Sequence, residues 1–211
     1  MPLQKMLLLK HAPTVTINPE FIDLGSQAYE DTYGRMRSLV QAKSLNDQIW
    51  LLEHSPVFTL GTAADPSHVL NPGSIPVIQT DRGGEVTFHG PGQLVCYPII
   101  DLSNYQKSVT WYMRTLEQIT IDVLEQFNII AKRIQGLTGV WVGDEKIAAQ
   151  GVRISRWVTM HGFALNVNPD LKFYDGIIPC GIFDHGVTSM EELLGETQQI
   201  DLVKDKVVEV F

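Results

Sequence analysis

The stretch Arg82-Gly83-Gly84-Glu85-Val86-Thr87-Phe88-His89-Gly90-Pro91-Gly92-Gln93 sets an arginine, a glycine pair and a histidine within one short run. Glycine lacks a Cβ and lets a second backbone or a ligand come close. The residues from Glu85 to Val95 are rich in the β-branched and aromatic types that suit a strand. Strand alternation puts Glu85, Thr87 and His89 on one face and Val86 and Phe88 on the other. A glycine turn that feeds a strand and carries Arg and His has the character of a binding site rather than of connective sequence.

Working outward, residues 49–54 read as a buried strand ended by Ser55-Pro56, residues 62–76 as a loop, and 76–80 and 85–99 as strands. Upstream, residues 21–24 are extended. Gly25-Ser26 then precedes a helix running to about Lys43, with Ser26 as N-cap and an apolar stripe of Tyr29, Thr32, Met36, Leu39 and Val40. Residues 107–127 are helical in pattern, with Val109, Tyr112, Met113, Leu116, Ile119, Val123, Leu124 and Phe127 on one face. A second β region follows at 129–134, 138–142, 146–154 and 158–167, with turns at Gly143-Asp144 and Ser155-Arg156. A loop spans 168–185, Ser189 and Glu192 form a capping box, and a last helix starts near Gln199. Strands arrive in runs joined by hairpin-like turns. That pattern predicts an α+β protein with a mixed sheet packed by helices, not a doubly wound parallel sheet. Neither a Walker-type phosphate loop nor a G-x-G-x-x-G fingerprint is present.

With 211 residues, 44% of them hydrophobic, the chain is sized for one domain covering 1–211. A net charge of −8 argues against a sequence-independent grip on nucleic acid or an anionic membrane. No apolar run approaches the roughly 18 residues of a membrane span. Residues 1–11 are too briefly apolar for a signal core, and no small-residue cleavage site follows. With only Cys96 and Cys180, no disulfide framework is expected. These features point to the cytoplasm. No His and Cys cluster has metal spacing, so no metal is expected.

Among residues with chemistry, Cys180 sits in Ile177-Ile178-Pro179-Cys180-Gly181-Ile182, an irregular turn. It is read either as a nucleophile or as a small residue filling a pocket. Cys96, inside a strand pattern, reads as a core thiol. Lys146 opens a strand directly after a turn, where lysine is ordinarily solvated, but small residues follow it. Gln150-Gly151 and His161-Gly162-Phe163-Ala164 fall at adjacent hairpin positions. They line an apolar slot or serve close strand packing. His89 and His161, each taken singly, read as hydrogen-bonded interior residues.

Together these segments, with Lys146-Ile147-Ala148-Ala149, Gly162-Phe163-Ala164-Leu165-Asn166 and Pro179-Cys180-Gly181-Ile182, resemble the octanoyl-[acyl-carrier-protein]–protein N-octanoyltransferases of lipoate biosynthesis. Glu53-His54-Ser55-Pro56-Val57-Phe58-Thr59-Leu60-Gly61 and Val187-Thr188-Ser189-Met190 extend the likeness, which runs from about Ile22 to Leu194. The resemblance implies the catalytic-domain fold of biotin and lipoate protein ligases. It implies that Cys180 carries the acyl thioester and that Lys146 is its partner, lowering the cysteine pKa. Acyl-substrate contacts are implied on Arg82, Gly83, Gly84, Glu85, Val86, Thr87, Phe88 and His89, on Ala149, Gln150 and Gly151, and on Gly162, Phe163 and Ala164, with His161 supporting. Gly83, Gly84, Gly151, Gly162 and Ala164 are expected to leave room for the acyl tail. Gln150 stands where many relatives carry an aliphatic residue.

The resemblance further implies an acyl donor on the phosphopantetheine arm of acyl carrier protein and no cofactor of the chain's own. The implied acceptors are lipoyl domains of 2-oxoacid dehydrogenase E2 subunits and the glycine cleavage H protein. Such acidic partners call for a local basic patch, with Arg35, Arg37, Lys132, Arg133, Arg153, Arg156 and Lys172 as candidates. Three rival readings compete: an ATP-dependent lipoate or octanoate ligase, an amidotransferase acting between lipoyl-accepting proteins, and a non-enzymatic lipoyl-domain binding module.

Overall fold

A computed structural model describes residues 19–42, 46–178 and 186–211. Strand β1 (Glu20–Gln27) pairs in parallel with β2 (Gln48–His54), and helix α1 (Tyr29–Ala42) makes the crossover between them. The short strands β3 (Val57–Leu60), β4 (Val77–Gln79) and β5 (Val86–His89) form a three-stranded sheet in the order β4-β3-β5. β6 (Gln93–Ile99) returns to the main sheet, and α2 (Val109–Glu125) follows. β7 (Lys132–Ile134), β8 (Leu137–Val142), β9 (Glu145–Ser155) and β10 (Val158–Asn166) complete a seven-stranded sheet ordered β1-β2-β6-β10-β9-β8-β7. Helices α3 (Met190–Leu194) and α4 (Ile200–Val210) end the chain. The α+β expectation holds, with one parallel pair in an otherwise antiparallel large sheet.

The central strands are apolar at nearly every position because both faces of the sheet are covered. Ile49, Leu51, Leu94, Cys96, Phe163 and Leu165 point into a cluster with Leu116, Val123 and Leu124 of α2 and Val203 and Val207 of α4. Trp50, Leu52, Val95, Tyr97 and Ala164 point the other way, toward Met36 and Val40 of α1. A third cluster joins Phe58, Val86 and Phe88 of the small sheet to Tyr174 and Ile177.

Local signals explain most boundaries. Ser108 caps α2 by accepting from the Trp111 N–H, and Asn128, at φ 59, turns the chain out of that helix. Ser189 caps α3 through the Glu192 N–H, although the Glu192 carboxylate turns to the Thr188 hydroxyl instead of closing the box.

Three expectations are corrected. Ser26 is not an N-cap: β1 runs on through it, paired with Glu53, after a bulge between Asp23 and Gly25. Val109 is exposed at the start of α2. Residues 85–99 are two strands in two sheets, not one. The break falls at Gly90-Pro91-Gly92, where proline lacks an N–H for a ladder and Gly92 adopts φ 84. The Gly92 carbonyl accepts from Val167 and Asn168, and its N–H donates to Glu53 Oε2 at 2.7 Å. A Cβ there would lie 2.4 Å from the Asn168 carbonyl oxygen. Gly92→Ala is therefore expected to cost at least about 2 kcal/mol, from positive φ and a backbone clash together. Chemical denaturation of the purified variant measures this.

Candidate active site

The site lies where the small sheet and the loop at 82–85 cover the β9–β10 half of the large sheet. β9 delivers its lysine there through an irregularity. Val140 pairs with Ala148 but Trp141 pairs with Lys146, so one extra residue sits in β9. Ile147 and Ala148 both enter the α2-side core. The bulge thereby turns Lys146 onto the opposite face, alongside Trp141, with Nζ 4.7 Å from the indole centroid. Gly139, at φ 120, makes space for it: a Cβ there would lie 3.3 Å from Lys146 Cε. Lys146 is only 7% exposed, so its place after a turn does not leave it solvated. Its backbone is held on both sides. The Lys146 N–H donates to the Gly186 carbonyl at 2.9 Å, and its carbonyl accepts from Thr188 at 3.1 Å.

From Lys146 a cavity of about 240 Å³ runs along the sheet. Register sets its cross-sections. Ala149 of β9 faces Ala164 of β10, beside Val95 of β6. One step farther from Lys146, Gly151 faces Gly162. Gly136, Leu137 and Thr138 line the cavity near β8, and Glu85, Val86, Thr87 and His89 line it from the small sheet. Arg82, Tyr97 and His161 line it as well.

This Arg82–Tyr97–His161 end is polar, and most of its groups are held by protein, although the buried His161 Nδ1 has no hydrogen-bond partner. The Arg82 guanidinium donates to Thr59 O at 2.7 Å, to Thr59 Oγ1 at 2.9 Å, to Glu85 O at 2.8 Å and to Gly83 O at 3.0 Å. His89 Nδ1 meets Gln93 Oε1 at 2.7 Å, and His54 Nε2 meets the Tyr97 hydroxyl at 2.9 Å. His161 has φ 58, although it lies mid-strand. Alternation with Phe163 and Leu165 would send its ring into the α2-side core. The left-handed backbone instead directs it to Tyr33, Tyr97 and Asp81, with Nε2 3.4 Å from Asp81 Oδ1. Burial pushes His161 and His89 below the usual histidine range, and lowers His54 to about 4. The His161 hydrogen bond, the largest cause, holds Asp81 low. At neutral pH the wall presents neutral imidazoles.

Residues 27–211 match the lipoyl protein ligase A/B catalytic domain family. An octanoyltransferase of Xanthomonas campestris pv. campestris is 46% identical over 195 residues, covering 92% of this chain and 84% of that protein. The chain belongs to the octanoyltransferase family. A second octanoyltransferase, from Gloeobacter violaceus, is 55% identical over 148 residues, 70% of this chain and 67% of its own length. A solved lipoate-protein ligase A bound with ATP superposes with a TM-score of 0.76 over 92% of this chain and 83% of the other, at 13% identity. At that identity the likeness is one of fold.

In this octanoyltransferase-family chain the structure gathers most of the sequence-derived candidates around one cavity. Arg82, Gly84, Glu85, Val86, Thr87, His89, Lys146, Ala149, Gln150, Gly151, His161, Gly162, Phe163 and Ala164 line it. Gly83 and Phe88 do not. Phe88 packs in the third cluster, and Gly83 donates its N–H to the Val152 carbonyl. Cys180 lies outside the described residues. The glycines at Gly151 and Gly162 serve contact rather than open space. A Cβ on Gly151 would sit 2.8 Å from the Gly83 carbonyl oxygen, and one on Gly162 would sit 2.2 Å from that of Cys96. Gln150 shares a face with Phe163 and Ala148, and both of its amide atoms are buried without a hydrogen-bond partner.

Sequence reasoning missed Tyr97, which was hidden in an apolar strand run. It also missed the Gly136–Thr138 wall, which only the β8–β9 register brings in. The seven basic candidates do not form one patch. Arg37, Arg153 and Arg156 gather near α1, over Tyr33, on Asp81 and at the Val40 carbonyl. Arg35 lies over Trp50, Lys132 and Arg133 pair with Asp144 and Glu117, and Lys172 borders a separate hollow.

His54 makes stability depend on pH. Its folded pKa lies below the unfolded value of 6.5, so the unfolded chain takes up protons first as pH falls. The stabilising contribution is full above 6.5 and is lost on approach to about 4. Between pH 7.5 and 5 this one group is expected to cost about 2 kcal/mol. His54→Asn should flatten that part of a urea-denaturation series across pH.

Proposed function

We propose that this chain transfers an octanoyl group through Cys180, with Lys146 as the acid and base, from acyl carrier protein to a lysine of a lipoyl-accepting protein. The observation that carries the reading is Lys146. It is a buried lysine, turned by a bulge to the head of a largely apolar channel, and its own backbone binds Gly186 and Thr188, just past the segment that contains Cys180. Family membership supplies octanoyl transfer as the reaction.

In the first half-reaction the Cys180 thiolate attacks the carbonyl of an octanoyl thioester on the phosphopantetheine arm. The C–S bond to the arm breaks, and the arm's sulfur leaves and takes its proton from the Lys146 ammonium, which leaves that amine neutral for the second half-reaction. An ammonium beside a thiol favours the thiolate, which a free thiol near pKa 8.5 supplies only sparingly at neutral pH. In the second half-reaction a lysine amine of the acceptor attacks the acyl-cysteine. Lys146 takes the proton from nitrogen as the C–N bond forms, and the thiolate departs. Backbone N–H groups beside Cys180 are the candidates to receive the tetrahedral oxygen. A thioester is already activated, so the cycle consumes no ATP. Lipoyl domains of E2 subunits and the glycine cleavage H protein are the acceptors this reading names.

Incubation with octanoyl-acyl carrier protein, without ATP, followed by intact mass spectrometry, tests the proposal. The native protein should gain one octanoyl group, and Cys180→Ala should gain none. Lys146→Ala should lose at least about 100-fold in turnover with its circular dichroism unchanged. An octanoyl adduct persisting in Cys180→Ala removes the nucleophile, and a strict need for ATP moves the chain to the ligase reading.

A further inference from the structure

We infer that Arg82 is the residue that ends the acyl channel and fixes the length of chain this protein accepts. The inference rests on the reading above in one respect: the thioester carbonyl is placed at the Lys146 end.

The register supplies the length. Ala149 and Ala164 form the channel's middle row, and Gly151 and Gly162 form the next. At that next row the space is taken. A Cβ on Gly151 would stand 3.1 Å from Arg82 Cδ and 3.3 Å from Nη1, so the arginine stem lies directly against the strand. The stem cannot swing aside without cost. Its guanidinium is tied to Thr59 and to the Glu85 carbonyl, and Arg82 is 6% exposed. Glycine at 151 is what lets the barrier close so far down.

From Lys146 to Gly151 there are five strand steps, one of them absorbed in the bulge. At about 3.3 Å per residue this gives roughly 13–16 Å. Van der Waals contact takes about 3.5–4.0 Å at each end, which leaves roughly 5–9 Å. Three backbone bonds span about 3.3–3.6 Å when extended, so the seven C–C bonds of an octanoyl chain span about 8 Å. An eight-carbon chain fills the channel. Two further methylenes would run into the arginine stem.

The test is the acyl-length profile of kcat/KM, measured with a series of saturated acyl-pantetheine thioesters from four to twelve carbons. The native protein should peak at eight. Arg82→Ala should raise the decanoyl-to-octanoyl ratio at least about tenfold. Arg82→Asn, which lacks Cδ and the guanidinium yet keeps an amide donor, should move it in the same direction and carries the test if the alanine variant does not fold. Ala149→Leu, filling the middle row, should move the peak to six carbons or fewer. A peak fixed at eight in Arg82→Asn, with octanoyl still transferred, overturns the role of Arg82 and leaves the transfer reading standing. Failure of the native protein to transfer octanoyl at all overturns both.

Discussion

The site depends on one extra residue in β9. Without it, Lys146 would share a face with Ala148 and its ammonium would point into the apolar layer under α2, where an unpaired charge is prohibitively costly. With it, the lysine crosses to the face that carries the channel, and Ile147 and Ala148 both remain in the core. Everything downstream on β9 keeps regular alternation, so Ala149 and Gly151 follow the lysine onto the channel floor in a fixed order. A strand holds such an order more rigidly than a loop does, and the spacing between Lys146 and Gly151 becomes a property of the sheet.

The opposite end of the channel uses a second local exception. His161 takes a left-handed φ that a β-strand residue normally avoids, and this trades backbone strain for a ring turned toward Asp81, Tyr33 and Tyr97. Most groups of the wall it joins are polar by type but committed to partners, the His161 Nδ1 excepted. Arg82 holds Thr59, His54 holds Tyr97, and His89 holds Gln93.

Much of this was legible in the sequence. Apolar runs at β2, β6 and β10 announced buried strands, the capping box at Ser189 announced a helix start, and the glycine–histidine stretch announced the site. What stayed hidden was non-local. A continuous β signal from Glu85 to Ile99 gave no sign that its two halves join different sheets, because Gly90-Pro91-Gly92 reads equally well as a bulge. Ser26 had the chemistry of a cap, but pairing with Glu53 outweighed it. The purpose of Gly151 and Gly162 depended on which backbone would press against them, and no single strand carries that information. Tyr97 and Thr138 reached the cavity only through inter-strand register.

The burial of Cys96 has a practical consequence. It is sealed in the α2-side core, and loss of solvation pushes its thiol well above the ordinary cysteine range, so it offers almost no nucleophilic anion while the protein is folded. The sequence holds one other cysteine. Any thiol label that the native protein takes up would therefore not sit at Cys96, and no substitution there is needed to assign it.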